Sequence, residues 1–114
     1  MSSSHETMYW GTVGASLLNT TDYAVNLPVG TTGWTIVNTN TVVTDILRIA
    51  GNSTTIATPS QCVPLLPGAS TSGKGQSLFV ANDSGGALNV VVAWERPGRQ
   101  PTNNAGTATI TALP

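Results

Sequence analysis

Charge is what this sequence has least of. Of its 114 residues only four are Lys or Arg and five Asp or Glu, 8% in all, against about 25% in an ordinary soluble domain. The four cations, Arg48, Lys74, Arg96 and Arg99, on a chain of formal net charge -1, make no basic field able to condense on a phosphate backbone, so no nucleic-acid partner is expected. A single cysteine, Cys62, closes no internal disulfide. Together with the single histidine, His5, it falls short of a zinc ligand set, and neither a metal nor another cofactor is expected. No apolar run approaches the roughly 18–20 residues of a membrane span, so no membrane partner is expected either. The opening Met1-Ser-Ser-Ser-His-Glu6 lacks the basic flank and apolar stretch of a secretory signal, which predicts a chain made in a cytoplasm without an export tag.

A chain of this length predicts one domain, with about 65% of its unfolded surface buried and a single modest core. Sparse charge together with a mean hydropathy slightly above zero is awkward for a lone monomer, whose surface needs solvating charge to stay dispersed. The expectation is a surface largely covered by other protein.

What the sequence has in plenty is Thr, Ser and Asn, roughly a third of the chain, types that favour strands, turns and caps over helix interiors. No long window keeps apolar residues at helical spacing without a break by Gly, Pro or a β-branched run. Alternation is the dominant pattern. Residues 34–38 (WTIVN) place Trp34, Ile36 and Asn38 on one face, and residues 39–41 can turn the chain into a second strand at 43–50 (VTDILRIA), predicting a hairpin. Residues 76–81 (QSLFVA) and 87–95 (ALNVVVAWE), joined by the turn-forming NDSGG of 82–86, predict another, with Leu88, Val90, Val92 and Trp94 on one face. Segments 9–13, 23–27 and 107–113 add strands, 54–58 is a short segment after a turn at 51–53, and Pro59 and the PLLPG of 64–68 impose irregular backbone. Six to eight short strands predict an all-β fold, an antiparallel β-sandwich or jelly-roll-like barrel. The expected division is an N-terminal arm at 1–8, a core at 9–95, and a linker with a C-terminal strand at 96–114. That last strand can pair with its own sheet or add to the sheet edge of a neighbouring copy.

Residues 68–75 (GASTSGKG) match the spacing of a phosphate-binding loop but place Gly75 where a magnesium-holding Ser or Thr is needed, and a strand follows where a helix should. They are read as a flexible loop. Glu6, Asp22, Asp45, Asp83 and Glu95 are scattered, with Asp22, Asp83 and Glu95 beside turns or strand ends and Asp45 three residues from Arg48, on the opposite face of a regular strand. His5 lies in a polar arm, a poor place for a catalytic base, no nucleophile elbow is present, and Cys62 sits in an apolar stretch that favours an inert thiol. No catalytic, metal-binding or cofactor-binding residue is assigned, and no enzyme activity is expected. Asn19, Asn52 and Asn82 match glycosylation sequons, read as exposed loops in a chain rich in such residues. Of the aromatic residues Tyr9, Trp10, Tyr23, Trp34, Phe79 and Trp94, Trp34 and Trp94 are expected to anchor the core, although aromatics exposed on a sandwich face would suit stacking on sugar rings.

The strand blocks Trp34-Thr-Ile-Val-Asn38, Pro67-Gly68 and Leu88-Asn-Val-Val-Val-Ala-Trp94, in a low-charge chain with polar arms, resemble the small β-sandwich structural proteins of tailed bacteriophages, the capsid decoration or cement proteins most closely. The resemblance covers roughly residues 30–95. It implies a β-sandwich or jelly-roll-like domain, often a homotrimer, that sits on the outer capsid of the virion, binds the major capsid protein and clamps the shell. It carries over no catalytic residue. A phage tail-fibre or receptor-binding tip, and a small carbohydrate-binding β-sandwich, share the same composition and stand as alternatives.

Overall fold

The computed structural model describes residues 7–98 and 104–114. His5 and Glu6 of the expected N-terminal arm, and Arg99, lie outside the described residues. Nine strands form: β1 (Met8–Leu17), β2 (Thr21–Asn26), β3 (Gly33–Asn38), β4 (Leu47–Ala50), β5 (Val63–Leu65), β6 (Ser70–Lys74), β7 (Ser77–Asn82), β8 (Leu88–Pro97) and β9 (Thr109–Ala112). A one-turn helix α1 (Ser53–Ile56) and a 3-10 turn at Pro59–Gln61 join β4 to β5. The Asn52 side chain caps α1 by accepting from Thr55 N at 2.7 Å.

The topology follows from one long hairpin. β1 pairs with β8, β2 with β7, β3 with β6 and β4 with β5, all antiparallel. Apart from the polar edge strand β6 (STSGK), these strands carry apolar side chains that a flat ribbon would leave in water, so the ribbon rolls until apolar faces meet. Rolling brings β3 against β8 and β4 against β7. The result is a four-stranded sheet, β1-β8-β3-β6, facing a five-stranded sheet, β5-β4-β7-β2-β9. Its first eight strands form a jelly roll, the all-β sandwich class expected from the alternation.

Both expected hairpins are corrected. β3 and β4 lie in different sheets, as do β7 and β8. The turn chemistry at residues 39–46 and 82–86 is real, but it makes corners between sheets. Ile36 on one side and Leu47 and Ile49 on the other must fill one core from opposite walls. The strand expected at 43–50 shortens to Leu47–Ala50 because Asp45 N donates to Val42 O and Ile46 N to Thr44 O, closing a turn. Asp45 therefore lies in that turn, outside the strand. The segment expected as a flexible loop at 68–75 contains edge strand β6, paired to β3 from Lys74↔Gly33 to Ser70↔Val37. The C-terminal strand pairs with its own sheet: β9 lies antiparallel beside β2, and Leu113 N donates to Asp22 O.

The core sits between the sheets, where Leu17, Val25, Ile36, Leu47, Leu78, Val80 and Val92 are wholly buried. One inner row of the four-stranded sheet reads Gly11, Trp94, Trp34, Gly73 across four neighbouring strands. Two indoles this close need room, and the glycines supply it: Trp94 lies over Gly11 and Trp34 over Gly73. Trp94 is fully packed and its indole N–H donates to Ala105 O at 2.7 Å. Trp34 is half-buried and its N–H has no partner among the described residues. Asn104 and Ala105, in the segment expected as a linker, are thus held back onto the core. Arg96 is buried at the end of β8 and donates to Val29 O and to Asn104 O, at 3.2 and 2.7 Å.

Candidate functional site

In this topology the β1–β2, β3–β4, β5–β6 and β7–β8 connections gather at one end of the sandwich. Strand ends Met8 and Pro97 lie at the other. Asparagine side chains lace the four loops together. Asn38, wholly buried, donates to Asp45 O at 2.6 Å and Leu65 O at 2.9 Å, tying the β3–β4 loop to the end of β5. Asn82, also wholly buried, donates to Leu17 O and Gly86 O, both at 2.8 Å, tying the end of β1 to the β7–β8 loop. Asn40 and Asn89 exchange two bonds, Asn40 Nδ2 to Asn89 O at 2.8 Å and Asn89 N to Asn40 Oδ1 at 3.0 Å, which joins the two halves. Gly85 N donates to Asn19 Oδ1 at 2.8 Å. Buried amides with every donor used hold a loop cluster in one arrangement.

That rigid end presents apolar side chains to solvent. Leu18, Val42, Val43, Ile46 and Leu66 are exposed, Val43 to 82%. They come from three loops of the same end. Scattered surface valines need no explanation, whereas a convergent set does. Arg48, the basic residue of β4, is neutralised. Its guanidinium hydrogen-bonds Asp83 through Nε and lies 3.6 Å from Asp22 Oδ1. It also donates to Ile56 O at 2.9 Å and reaches Cys62 Sγ at 3.4 Å. Burial alone would lower the Arg48 pKa, but the bonds to Asp83 and Cys62 outweigh it and hold the value above that of an ordinary arginine. Replacing Arg48 with Met leaves Asp22 and Asp83 together without a counter-charge, with an expected loss of about 1–2 kcal/mol in urea unfolding.

The candidates of the sequence thus separate. Asp22 and Asp83, expected beside turns as solvated side chains, are brought together, but by an arginine that occupies both. Asp45 stands apart at the loop end, and Glu95 lies on the outer face of the four-stranded sheet. Cys62 is half-buried behind α1, its thiol donating to Thr55 O at 3.2 Å. Among the described residues no group of three or more His, Cys, Asp or Glu could hold a metal ion. Of the sequon asparagines expected in exposed loops, Asn82 is corrected to a wholly buried structural amide. Trp34 and Trp94 line the inner face, as expected of core anchors. Trp10 does the opposite: it points outward from β1 and is 65% exposed.

The apolar loop end is hidden in the sequence because Val43 lies in phase with Leu47 and Ile49 and so reads as part of their strand; the Thr39-Asn40-Thr41 signal next to it points to a turn. No family model matches this chain, and no curated protein matches it significantly. Among solved structures it is similar to one described under the words "Bacillus endospore appendages form a novel family of disulfide-linked pili", at 8% identity and a TM-score of 0.46, covering 85% of this chain and 94% of that one.

Proposed function

We propose that this chain is a non-enzymatic virion structural protein of the capsid decoration or cement type, which seats its apolar loop end on the major capsid protein. The observation that carries the reading is the set of five exposed apolar side chains, Leu18, Val42, Val43, Ile46 and Leu66, held by a laced asparagine framework. A second support is the sparse charge of the whole chain, 8%, which suits a surface that is covered in use. Fully burying one valine or leucine is worth about 1.5–3 kcal/mol. Five such groups exceed the smaller estimates of the cost of association, and a homotrimer would multiply the effect through avidity without new kinds of contact. The rigid loop end lowers that cost further, since few groups need ordering on binding.

The test is co-sedimentation with assembled shells of the major capsid protein that this reading requires as the partner. Wild-type protein is expected to pellet with the shells. The double variant Val43→Asp, Leu66→Asp is expected to lose at least tenfold in affinity while its urea midpoint stays unchanged. Failure of the wild type to bind, or full binding by the double variant, would overturn the reading. Sedimentation of the free protein or of shell-released protein as a trimer is the matching expectation for its oligomeric state.

A further inference from the structure

The outer face of the four-stranded sheet is remote from the loop end and carries a second kind of surface. Register places Trp10 of β1, Glu95 of β8, Gly33 of β3 and Lys74 of β6 in one row across the four strands. Three interstrand steps make that row about 14 Å long. The next row reads Thr12, Ala93, Thr35, Ser72, and the Thr35 and Ser72 hydroxyls hydrogen-bond each other at 2.8 Å. Trp10 at one edge and Lys74 at the other bound a depression of about 340 Å³, with Glu95, Thr35 and Ser72 on its floor. Gly33 is what opens it. A Cβ there would lie 3.0 Å from Glu95 Oε1, so the missing side chain is the space over which the carboxylate leans.

We infer that this depression is a binding site for a neutral saccharide. Four features of the row select that chemistry. The exposed indole offers an apolar face to the C–H side of a sugar ring, while the other aromatic of the lining, Trp34, belongs to the inner row and lays its ring over Gly73 on the core side, so the two indoles do not clamp a flat heterocycle between them. Glu95 accepts and Lys74 donates, and neither side chain has a hydrogen bond or ion pair among the described residues. Both therefore remain available to the paired hydroxyls of a sugar, each of which can give and take a bond. The opposite charges sit in one row and largely cancel at a distance, so an ionic ligand of either sign gains little. The volume lies at the low end of ligand pockets, enough for about one or two sugar rings in close contact. Glu95 is the one carboxylate of this face among the described residues, so the paired carboxyls of glycoside hydrolysis are not assembled, and the site binds without cleaving.

The experiment is a titration of the full chain with neutral cello-, malto- and chito-oligosaccharides at millimolar concentration, followed by NMR at the Trp10 indole N–H and the amides of β1, β3, β6 and β8. At least one series is expected to shift these signals while leaving the amides of residues 39–46 in place. Trp10→Ala is expected to weaken binding at least tenfold, and Gly33→Leu, which fills the depression from a neighbouring strand, to abolish it. Glu95→Gln keeps the shape and tests the acceptor without disturbing the fold; a loss of threefold or more is expected. If no oligosaccharide moves the Trp10 signal, or if binding survives in both Trp10→Ala and Gly33→Leu, the inference falls. Its failure leaves the shell-binding reading untouched, because that reading uses the loop end alone.

Discussion

Replacing Gly11 with alanine is expected to cost about 3 kcal/mol of folding stability, an unusual price for one methyl group. The new Cβ would stand 2.6 Å from Trp94 Cε2, closer than any carbon pair tolerates. Trp94 has nowhere to go, since it is 2% exposed and its indole N–H is fixed on Ala105 O. The matching change Gly73→Ala places a Cβ 2.8 Å from Trp34 Cε2, nearly as close, yet the outcome differs. Trp34 is half-buried, its N–H is uncommitted among the described residues, and it borders an open cleft of about 220 Å³ beside Ile49, Ala50 and Val63. Its ring can tilt, and the expected cost is about 1 kcal/mol. Urea unfolding of the two variants checks the pair. Equal losses would show that the glycines do not seat the rings as described.

Asn82→Ala is expected to be as damaging, about 3 kcal/mol, for a different reason. The residue is wholly buried and satisfies the carbonyls of Leu17 and Gly86 while accepting from Ser84 N and Ser84 Oγ. Truncation removes two donors, strands the buried Leu17 carbonyl and leaves the Ser84 N–H without its acceptor, and each unmet buried group costs about 1–3 kcal/mol when no water replaces the partner. Asn40→Ala, in a half-buried and more solvated position, is expected to lose about 1 kcal/mol. If both variants unfold at the same urea concentration as the native chain, the asparagine lacing is decoration and the loop end is not rigid.

These two sites show where the sequence was legible. The face of Leu88, Val90, Val92 and Trp94 could be read because period-2 alternation is a local property of the chain, and all four are buried. The all-β class followed for the same reason. Strand partnership could not be read this way. The segment 82–86 has good hairpin chemistry, yet Asn82 turns its side chain inward to bridge β1 and the β7–β8 loop, and the chain changes sheet there. Local turn chemistry is the same at a hairpin and at a corner; the choice is made by which apolar faces must meet, which depends on residues 60 or more positions away, as in the Asn82–Leu17 bond. The functional surfaces were hidden for a related reason. Trp10 and Trp94 are both tryptophans in alternating strands, and only the register Trp10↔Glu95 and Gly11↔Trp94 places one outside and the other inside.

The low charge of the chain acquires a location in this structure. The loop end gathers apolar groups and leaves Arg48 neutralised by Asp22 and Asp83, and the same end is cross-linked by the buried amides of Asn38 and Asn82. Protection of side chains from hydroxyl-radical modification, compared between free protein and protein bound to assembled shells, tests this most directly. Leu18, Val42, Val43, Ile46 and Leu66 are expected to be protected on binding, with Trp10 remaining as reactive as in the free chain. Protection confined to the sheet face around Trp10, with the five loop residues unchanged, would contradict it.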